Sequence, residues 1–588
     1  MYRFSRLVRQ PAFHWFLIAV AVAVGYGHTL DVPFYLDDHL SIGKNPAIRS
    51  LDPVRLWHYS PRRVVGYYTL ALNYHFHGLE PAGYHLINLV IHGLAAWLVW
   101  GLARALLRTE PLRRYDSPAL QWGMPLTAAL IFALHPLQTQ AVTYIVQRLA
   151  SLAALWYLAA LLCYVRLRLA HGWRRRTVWL LGFSTAALLA FFTKENSFTL
   201  PMACWLVEIA FFPRSRRNPW MWGLAAAALV AALALLWGMS HLDWPWLRRL
   251  DAMSRETAWF GRGDYLAAQM KVLWWYLRLF FLPVGLRLDY GFHQPPSWSD
   301  PSVLVSAGGH ILLIGAAVKW LSRYPLPAFG ILFYYTAQLV ESSVIPIKDL
   351  VFEHRTYLPN AGLALAVAWF LTAWLPARLP RPLLGYGIGG TVIFLLALLT
   401  WQRNDLWRDP VRFWEDNVRR EPKALRPKLE LAREYFDAGR VEESLRLGKE
   451  IAASTPWPTR EHLPESVTAN LAAAYFVAGR SDLALRVVED SLRQSRLPMV
   501  RQRLLLLRGN IHHGQGRYAE AEADYRRALA LGPDAGIYLY LAEVLLAQRR
   551  YGEAAKTYRK VLALQPENRL ARQRLAQLRG YRARPSSR

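Results

Sequence analysis

Eleven apolar runs, separated by short polar loops, fill the first 400 residues, and they constrain the fold more than any other feature. They lie at 12–28, 84–106, 120–135, 140–164, 177–193, 197–212, 219–240, 302–320, 326–342, 358–376 and 383–401. A segment inside lipid must satisfy its own backbone N–H and C=O groups, so runs of this kind read as membrane helices. About 20 residues cross a bilayer upright, and 120–135 and 197–212 fall furthest short of that. Hydrophobic residues make up 54% of the chain and charged ones 19%, which suits an integral membrane protein. The 25 Trp and 29 Tyr fit the membrane–water interface.

Loop charge sets the orientation. Arg3, Arg6 and Arg9 precede the first run. Arg104, Arg108, Arg113 and Arg114 follow the second, and Arg166, Arg168 and Arg174 to Arg176 the fourth. Arg214, Arg216 and Arg217, then Lys319 and Arg323, then Arg378 and Arg381, follow the sixth, eighth and tenth. All fall on the cytoplasmic side if eleven runs span. The run 265–282 decides the parity. Lys271 and Arg278 share one helical face and Trp274, Trp275 and Tyr276 lie between them, a pattern that predicts a helix in the interface plane. The remainder of the chain then sits outside the cytoplasm, in the periplasm of a two-membrane bacterium. The first run has no obvious small-residue cleavage site and reads as a retained span, not a signal peptide. The formal charge of +29 belongs to these loops and to helical repeats, so no nucleic-acid partner is expected. Cys163 and Cys204 sit in apolar runs and suggest neither disulfide nor metal.

From about residue 403 the composition changes to charged, Ala/Leu-rich and helical in period. Gly516-Arg517-Tyr518-Ala519-Glu520-Ala521 is echoed 33 residues on by Arg549-Arg550-Tyr551-Gly552-Glu553-Ala554, and Pro533 by Pro566. Gly439-Arg440 and Gly479-Arg480 mark two earlier units. A helix–turn–helix unit of about 34 residues with small residues at the turn is a tetratricopeptide repeat. The expected fold class is all-α. A polytopic membrane domain of about eleven spans (1–402, with outer loops 29–83 and 241–301) is followed by an α-solenoid of about four repeats (403–588).

On this topology four polar clusters share the outer face. The first is Tyr35-Leu36-Asp37-Asp38-His39, where adjacent carboxylates oppose each other's ionisation. It is either a solvated loop or a proton acceptor for a hydroxyl. Lys194-Glu195 is either a mutual ion pair or a phosphate contact beside an acid. Lys348-Asp349, Glu353-His354-Arg355 and Tyr357-Leu358-Pro359 offer a planar guanidinium suited to phosphate and a histidine donor, against the alternative of a Glu353–Arg355 bridge. His135-Pro136, Gln138, Gln140, Gln147 and Arg148 form the fourth, with Arg148 inside an apolar run, where a charge is either functional or snorkels to the interface. No phosphate-binding Gly-rich loop, GxSxG elbow or zinc spacing is present, so a transferase here needs a membrane-borne donor.

The stretches YLDDHLSIGKNP (35–46), HPLQTQAVTYIVQRLASLAALWYLAALL (135–162), FFTKENSFTLP (191–201) and ESSVIPIKDLVFEHRTYLPNAG (341–362) resemble the transmembrane and tetratricopeptide-repeat O-mannosyltransferases and their bacterial relatives. RGDYLAAQMKVLWWYLRLFFLPVGLRLDY (262–290) and RNDLWRDPVRFWEDNV (403–418) are similar to further segments of that family. The resemblance implies a C-type glycosyltransferase fold. It also implies a polyprenyl-phosphate sugar as co-substrate, a catalytic acidic pair matched by Asp37 and Asp38, a further acid matched by Glu195, and a donor side marked by Glu353 to Pro359.

The resulting expectation is sugar transfer to Ser or Thr of a protein at the outer face. Asp37 or Asp38 takes the acceptor proton, assisted by Glu195. Arg355, His354, Lys194 and Arg148 hold the donor phosphate. Glu353, Tyr357, Lys348, His135 and Gln147 give structural support. No metal ligand set is assigned and a divalent ion is not required. The repeats recruit the acceptor protein, and membrane lipid surrounds the first domain. Two rivals are a polymerase or ligase acting on a glycan or lipid, and a non-enzymatic membrane scaffold.

Overall fold

A computed structural model of the chain describes residues 9–115, 117, 119–242, 244–257, 261–291, 296–454, 472, 475–476, 478–494, 498–565 and 568–582. Arg3, Arg6 and Pro566 lie outside them, as do parts of the 241–301 loop. The described residues are helical or irregular, with no strand among them. The chain forms two compact units, 1–409 and 410–588.

In the first unit the apolar runs become helices. Among the described residues five are long and apolar enough to cross a membrane: Pro11–Thr29, Pro81–Leu106, Ile145–Leu169, Pro301–Trp320 and Pro382–Trp407. A sixth is the pair Leu120–Leu134 and Pro136–Val142, bent by 52° at His135. The other expected runs fold as Trp173–Phe191, Leu200–Phe211, Pro219–His241, Pro325–Gln338 and Pro359–Trp369. Length and composition thus support an integral membrane domain, and the full count of eleven spans is not established by them. Arg262–Phe281 is not among the six. One broad face of it, including Tyr265, Val272, Tyr276 and Phe280, is buried in the core, while Arg278 is exposed over Trp275.

Polar contacts fix the bent stretch, because irregular backbone at membrane depth is stable only when protein covers it. Residues 133–146 are all buried. Thr400 donates to the Leu134 carbonyl (2.6 Å) and Thr143 to Asn404 Oδ1 (2.7 Å), while Asn404 donates to the Gly25 carbonyl (2.8 Å). His135 stacks on Phe280 with rings 4.7 Å apart and donates from Nε2 to the Phe280 carbonyl (2.8 Å). Its Nδ1 accepts from Leu137 N–H (3.2 Å). His135 is therefore a hinge pin for the chain break that Pro136 begins.

The second unit is a stack of helix pairs. They are Leu425–Asp437 with Val441–Ser454, Pro498–Gly514 with Tyr518–Leu531, and Ala535–Ala547 with Tyr551–Leu564. Ser481–Gln494 follows Gly479, and Arg569–Arg582 is the last helix among the described residues. Gly439, Gly479 and Gly516 take φ of 75°, 73° and 75° at the turns, a region open to glycine at little cost. Arg549, at the position that echoes Gly516, takes φ 60°.

Candidate active site

The Tyr35–His39 stretch is a tight turn organised by Asp38. Its Oδ2 accepts from Tyr35 N–H (3.1 Å), and Asp38 N–H donates to the Tyr35 carbonyl (2.8 Å). Its Oδ1 accepts from Val146 N–H (2.7 Å), so one carboxylate ties the outer loop to the stretch preceding Arg148. Leu36 has φ 36°, a conformation that L side chains rarely adopt, which places strain beside Asp37. Burial pushes the Asp38 carboxyl up to about 7. Hydrogen bonds from Tyr35 and Val146 oppose the shift and the charge of Asp37 adds to it. The two aspartates therefore differ in kind: Asp38 is buried, Asp37 exposed.

Asp37 N–H donates to the Tyr144 hydroxyl (2.9 Å). The Tyr144 ring stacks on Trp407, and the Tyr35 ring meets Trp407 edge-on while its hydroxyl donates to the Trp407 carbonyl (2.7 Å). Trp407 is thus the platform under the acidic loop.

Four residues before Tyr144, Gln140 Oε1 accepts from His354 N–H (2.6 Å) and lies 3.2 Å from His354 Nδ1. A backbone N–H always donates, so this Gln140 atom is fixed as oxygen and Nδ1 carries the proton. Burial lowers the His354 pKa well below its ordinary value, reinforced by the nearby charges of Lys194, Arg355 and Arg63. Neutral His354 then presents Nε2 as an acceptor, not as the phosphate donor expected from sequence.

The same electrostatic neighbourhood unites Lys194, His354 and Arg355 with Arg63. Lys194 pairs with Glu341 (2.6 Å), and both are largely buried. Glu195 pairs with Arg63 (3.0 Å). Each member of the Lys194-Glu195 dipeptide therefore has a distant partner. Arg355 donates to the carbonyls of Leu350 (3.2 Å) and Asp349 (2.7 Å). Around these charges Gln140 Nε2, Asn196 Oδ1, Ser197 Oγ, Gln338 Nε2 and Glu341 Oε2 are buried without a protein partner. Buried polar atoms left this way fit a hydroxyl-rich ligand or water.

The supporting residues are placed elsewhere. Glu353 is fully buried, and its Oε1 accepts from Arg287 N–H (2.7 Å) and the Tyr290 hydroxyl (2.5 Å). Its partner in charge is Arg403 (3.9 Å). Burial raises its pKa and the Arg403 charge opposes the rise. The Tyr357 hydroxyl donates to His92 Nδ1 (2.7 Å), because Nε2 of that ring donates to the Ala133 carbonyl (2.9 Å). Lys348 is exposed and Gln147 half-buried at the start of the Arg148 helix. Arg148 is fully buried. Nε donates to Asn88 Oδ1 (2.6 Å), Nη1 to the Thr69 carbonyl (3.2 Å) and Asn73 Oδ1, and Nη2 to the Tyr84 carbonyl (2.8 Å). With its donors so engaged it is a cross-link between helices.

Sequence reasoning did not single out Arg63, Tyr144, Glu341 or Trp407 as site residues. Glu341 ends an apolar run as its only acid, a signal that was available; the others carry none. Among the described residues no group of three His, Cys, Asp or Glu side chains is arranged to hold a metal ion.

An all-α membrane unit with a polar, cation-rich cluster and a separate repeat unit is the class of protein that fold and site define. The tetratricopeptide repeat family matches residues 469–536, 506–569 and 539–579. Protein O-mannosyl-transferase Tmtc3 of Drosophila melanogaster is 31% identical over 221 residues, which is 33% of this chain and 23% of that protein. Protein O-mannosyl-transferase F38B6.6 of Caenorhabditis elegans is 22% identical over 458 residues, which is 74% of this chain and 62% of that protein. The chain thus spans between about a quarter and three fifths of the length of these curated relatives. A thermophilic tetratricopeptide-repeat protein of Thermus thermophilus matches 32% of this chain and 94% of its own at 27% identity, with a TM-score of 0.26. The resemblance to the transmembrane and tetratricopeptide-repeat O-mannosyltransferases, read above from the motifs, is matched by the names these relatives carry.

Proposed function

We propose that this chain transfers a sugar, mannose or another hexose, from a polyprenyl-phosphate carrier to Ser or Thr hydroxyls of proteins. The reaction takes place at the periplasmic face of a bacterial inner membrane. The observation that carries this reading is one short segment, 140–146, which touches both sides of the chemistry. Gln140 holds His354 beside Lys194 and Arg355, and Tyr144 holds the backbone of Asp37.

The step is a single displacement with inversion. The acceptor oxygen bonds to the anomeric carbon as the bond from that carbon to the phosphate oxygen breaks. The electron pair leaves with the lipid phosphate, and the acceptor proton passes to the Asp37 carboxylate. Lys194 and Arg355 stabilise the departing phosphate, while Arg63 holds Glu195 in place near them. His354 Nε2 and the unpartnered atoms of Gln140, Asn196 and Glu341 bind sugar hydroxyls. Asp38 positions the loop and takes no proton. The repeats recruit the acceptor protein.

Mass spectrometry of envelope proteins tests this in a deletion strain complemented with wild type or with equally expressed Asp37→Asn. Loss of hexose from Ser and Thr peptides only in the mutant supports the proposal. A change in surface polysaccharide alone moves the acceptor to a glycan or lipid. No change in either removes Asp37 from catalysis.

A further inference from the structure

The repeat unit contains a groove of about 710 Å³ formed by Ser481–Gln494, Pro498–Gly514 and Tyr518–Leu531. That volume suits a few residues of extended polypeptide. Four arginines line it, Arg493, Arg501, Arg508 and Arg527, against a single acid, Glu489.

These arginines are not equivalent. Arg508 makes a two-pronged bond to Asp524 (2.9 and 2.6 Å) that is mostly buried, so it is a strut between two helices. Arg501 donates from Nη1 to the Leu492 carbonyl (2.8 Å), which orients its guanidinium along the wall. Arg493 is exposed, and Asp490, also exposed, is 3.7 Å away, a contact that water screens. Arg527 is exposed as well. Between them Leu505 is buried in the wall and Leu531 keeps 41% of its surface exposed. Once Arg508 is matched by Asp524 and Arg501 is held in the wall, the groove still offers the exposed guanidiniums of Arg493 and Arg527 beside an apolar patch.

We infer that this groove binds an acidic polypeptide segment carrying an apolar side chain. Carboxylates pair with Arg493 and Arg527 through the planar two-point geometry that guanidinium offers, and the apolar side chain packs on Leu505 and Leu531. A flat anionic membrane surface does not reach into a concave site, whereas an extended chain does. The inference rests on the reading that the repeats recruit the acceptor protein, and it specifies that acceptor: an acidic tract accompanies the modified Ser or Thr.

Fluorescence anisotropy with the full-length protein in uncharged detergent tests it. The probe is a labelled peptide of about twelve residues rich in Asp, Glu and Leu, and its control carries Asn and Gln at the acidic positions. The acidic peptide is expected to bind at least about tenfold more tightly than the control and to weaken as salt rises. Arg493→Glu/Arg527→Glu reduces its affinity at least about tenfold with an unchanged thermal midpoint, and the single variants fall between. Equal binding of both peptides, or full affinity in the double variant, overturns the inference. So does binding to phosphatidylglycerol vesicles that the double variant loses while the peptide fails to bind. Asp37→Asn keeps full peptide affinity. If that variant also keeps sugar transfer, the catalytic reading fails and the groove stands.

Discussion

Asp37 and Asp38 are chemically identical neighbours with opposite burdens. Asp38 accepts from two backbone N–H groups out of contact with solvent, and Asp37 reaches solvent beside a strained Leu36. Asp37→Asn is therefore expected to abolish transfer while leaving stability within about 0.5 kcal/mol, as for a surface substitution. Asp38→Asn turns one acceptor into an NH2 group facing an N–H, and should cost about 1–3 kcal/mol, read as a lowered thermal midpoint. Asp38 also makes stability depend on pH. Its folded pKa, raised to about 7, exceeds that of the unfolded chain, so the folded form holds the proton longer. Its contribution is greatest below about pH 4 and declines as pH rises to about 7. A thermal midpoint measured across that window should fall with pH in wild type and fall less in Asp38→Asn. The paired acids stood out in the sequence as a candidate. Their division of labour was not, because it depends on Val146, 108 residues away.

Elements show the same division between local and distant information. Helix positions followed from apolar runs and the repeat turns from Gly439, Gly479 and Gly516, since both signals are local. The Lys194–Glu341 pair spans 147 residues and the Arg63–Glu195 pair 132, so adjacency in sequence pointed to the wrong partners for both Lys194 and Glu195. Arg148 drew attention as a charge in an apolar helix, and the structure gives it four helix-bridging acceptors. Arg148→Met leaves those acceptors buried and unpaired, and should cost about 3 kcal/mol or more and lower the yield of folded protein, measured by size-exclusion chromatography. In the solenoid, Arg549 holds a left-handed turn that its counterpart Gly516 holds as glycine. Relief of that strain predicts that Arg549→Gly stabilises the repeat unit by about 1 kcal/mol, visible as a higher thermal midpoint. Gly516→Ala should shift it the other way by a similar amount.

For the molecule as a whole, the proposed chemistry depends on which side of the membrane the acidic loop and the repeats occupy. An odd number of spans places the repeat unit with the 29–83 loop, away from the arginine-rich loops; an even number separates them. Among the described residues, helix length and composition alone support six crossings at most. The remaining helices Trp173–Phe191, Leu200–Phe211, Pro219–His241, Pro325–Gln338 and Pro359–Trp369, together with Arg262–Phe281, decide the parity. Cysteine accessibility resolves it in a background with Cys163→Ala and Cys204→Ala, which removes both native thiols. Ser215→Cys lies in the Arg214–Arg217 loop, Ser297→Cys in the loop before Pro301, and Ser481→Cys at the start of a repeat helix. A membrane-impermeant maleimide on intact spheroplasts is expected to label Ser297→Cys and Ser481→Cys at once, and Ser215→Cys only after permeabilisation. Labelling of Ser297→Cys without Ser481→Cys would put the repeats in the cytoplasm. They would then lie opposite the acceptor they are proposed to recruit, and the membrane unit would have to select its own substrate.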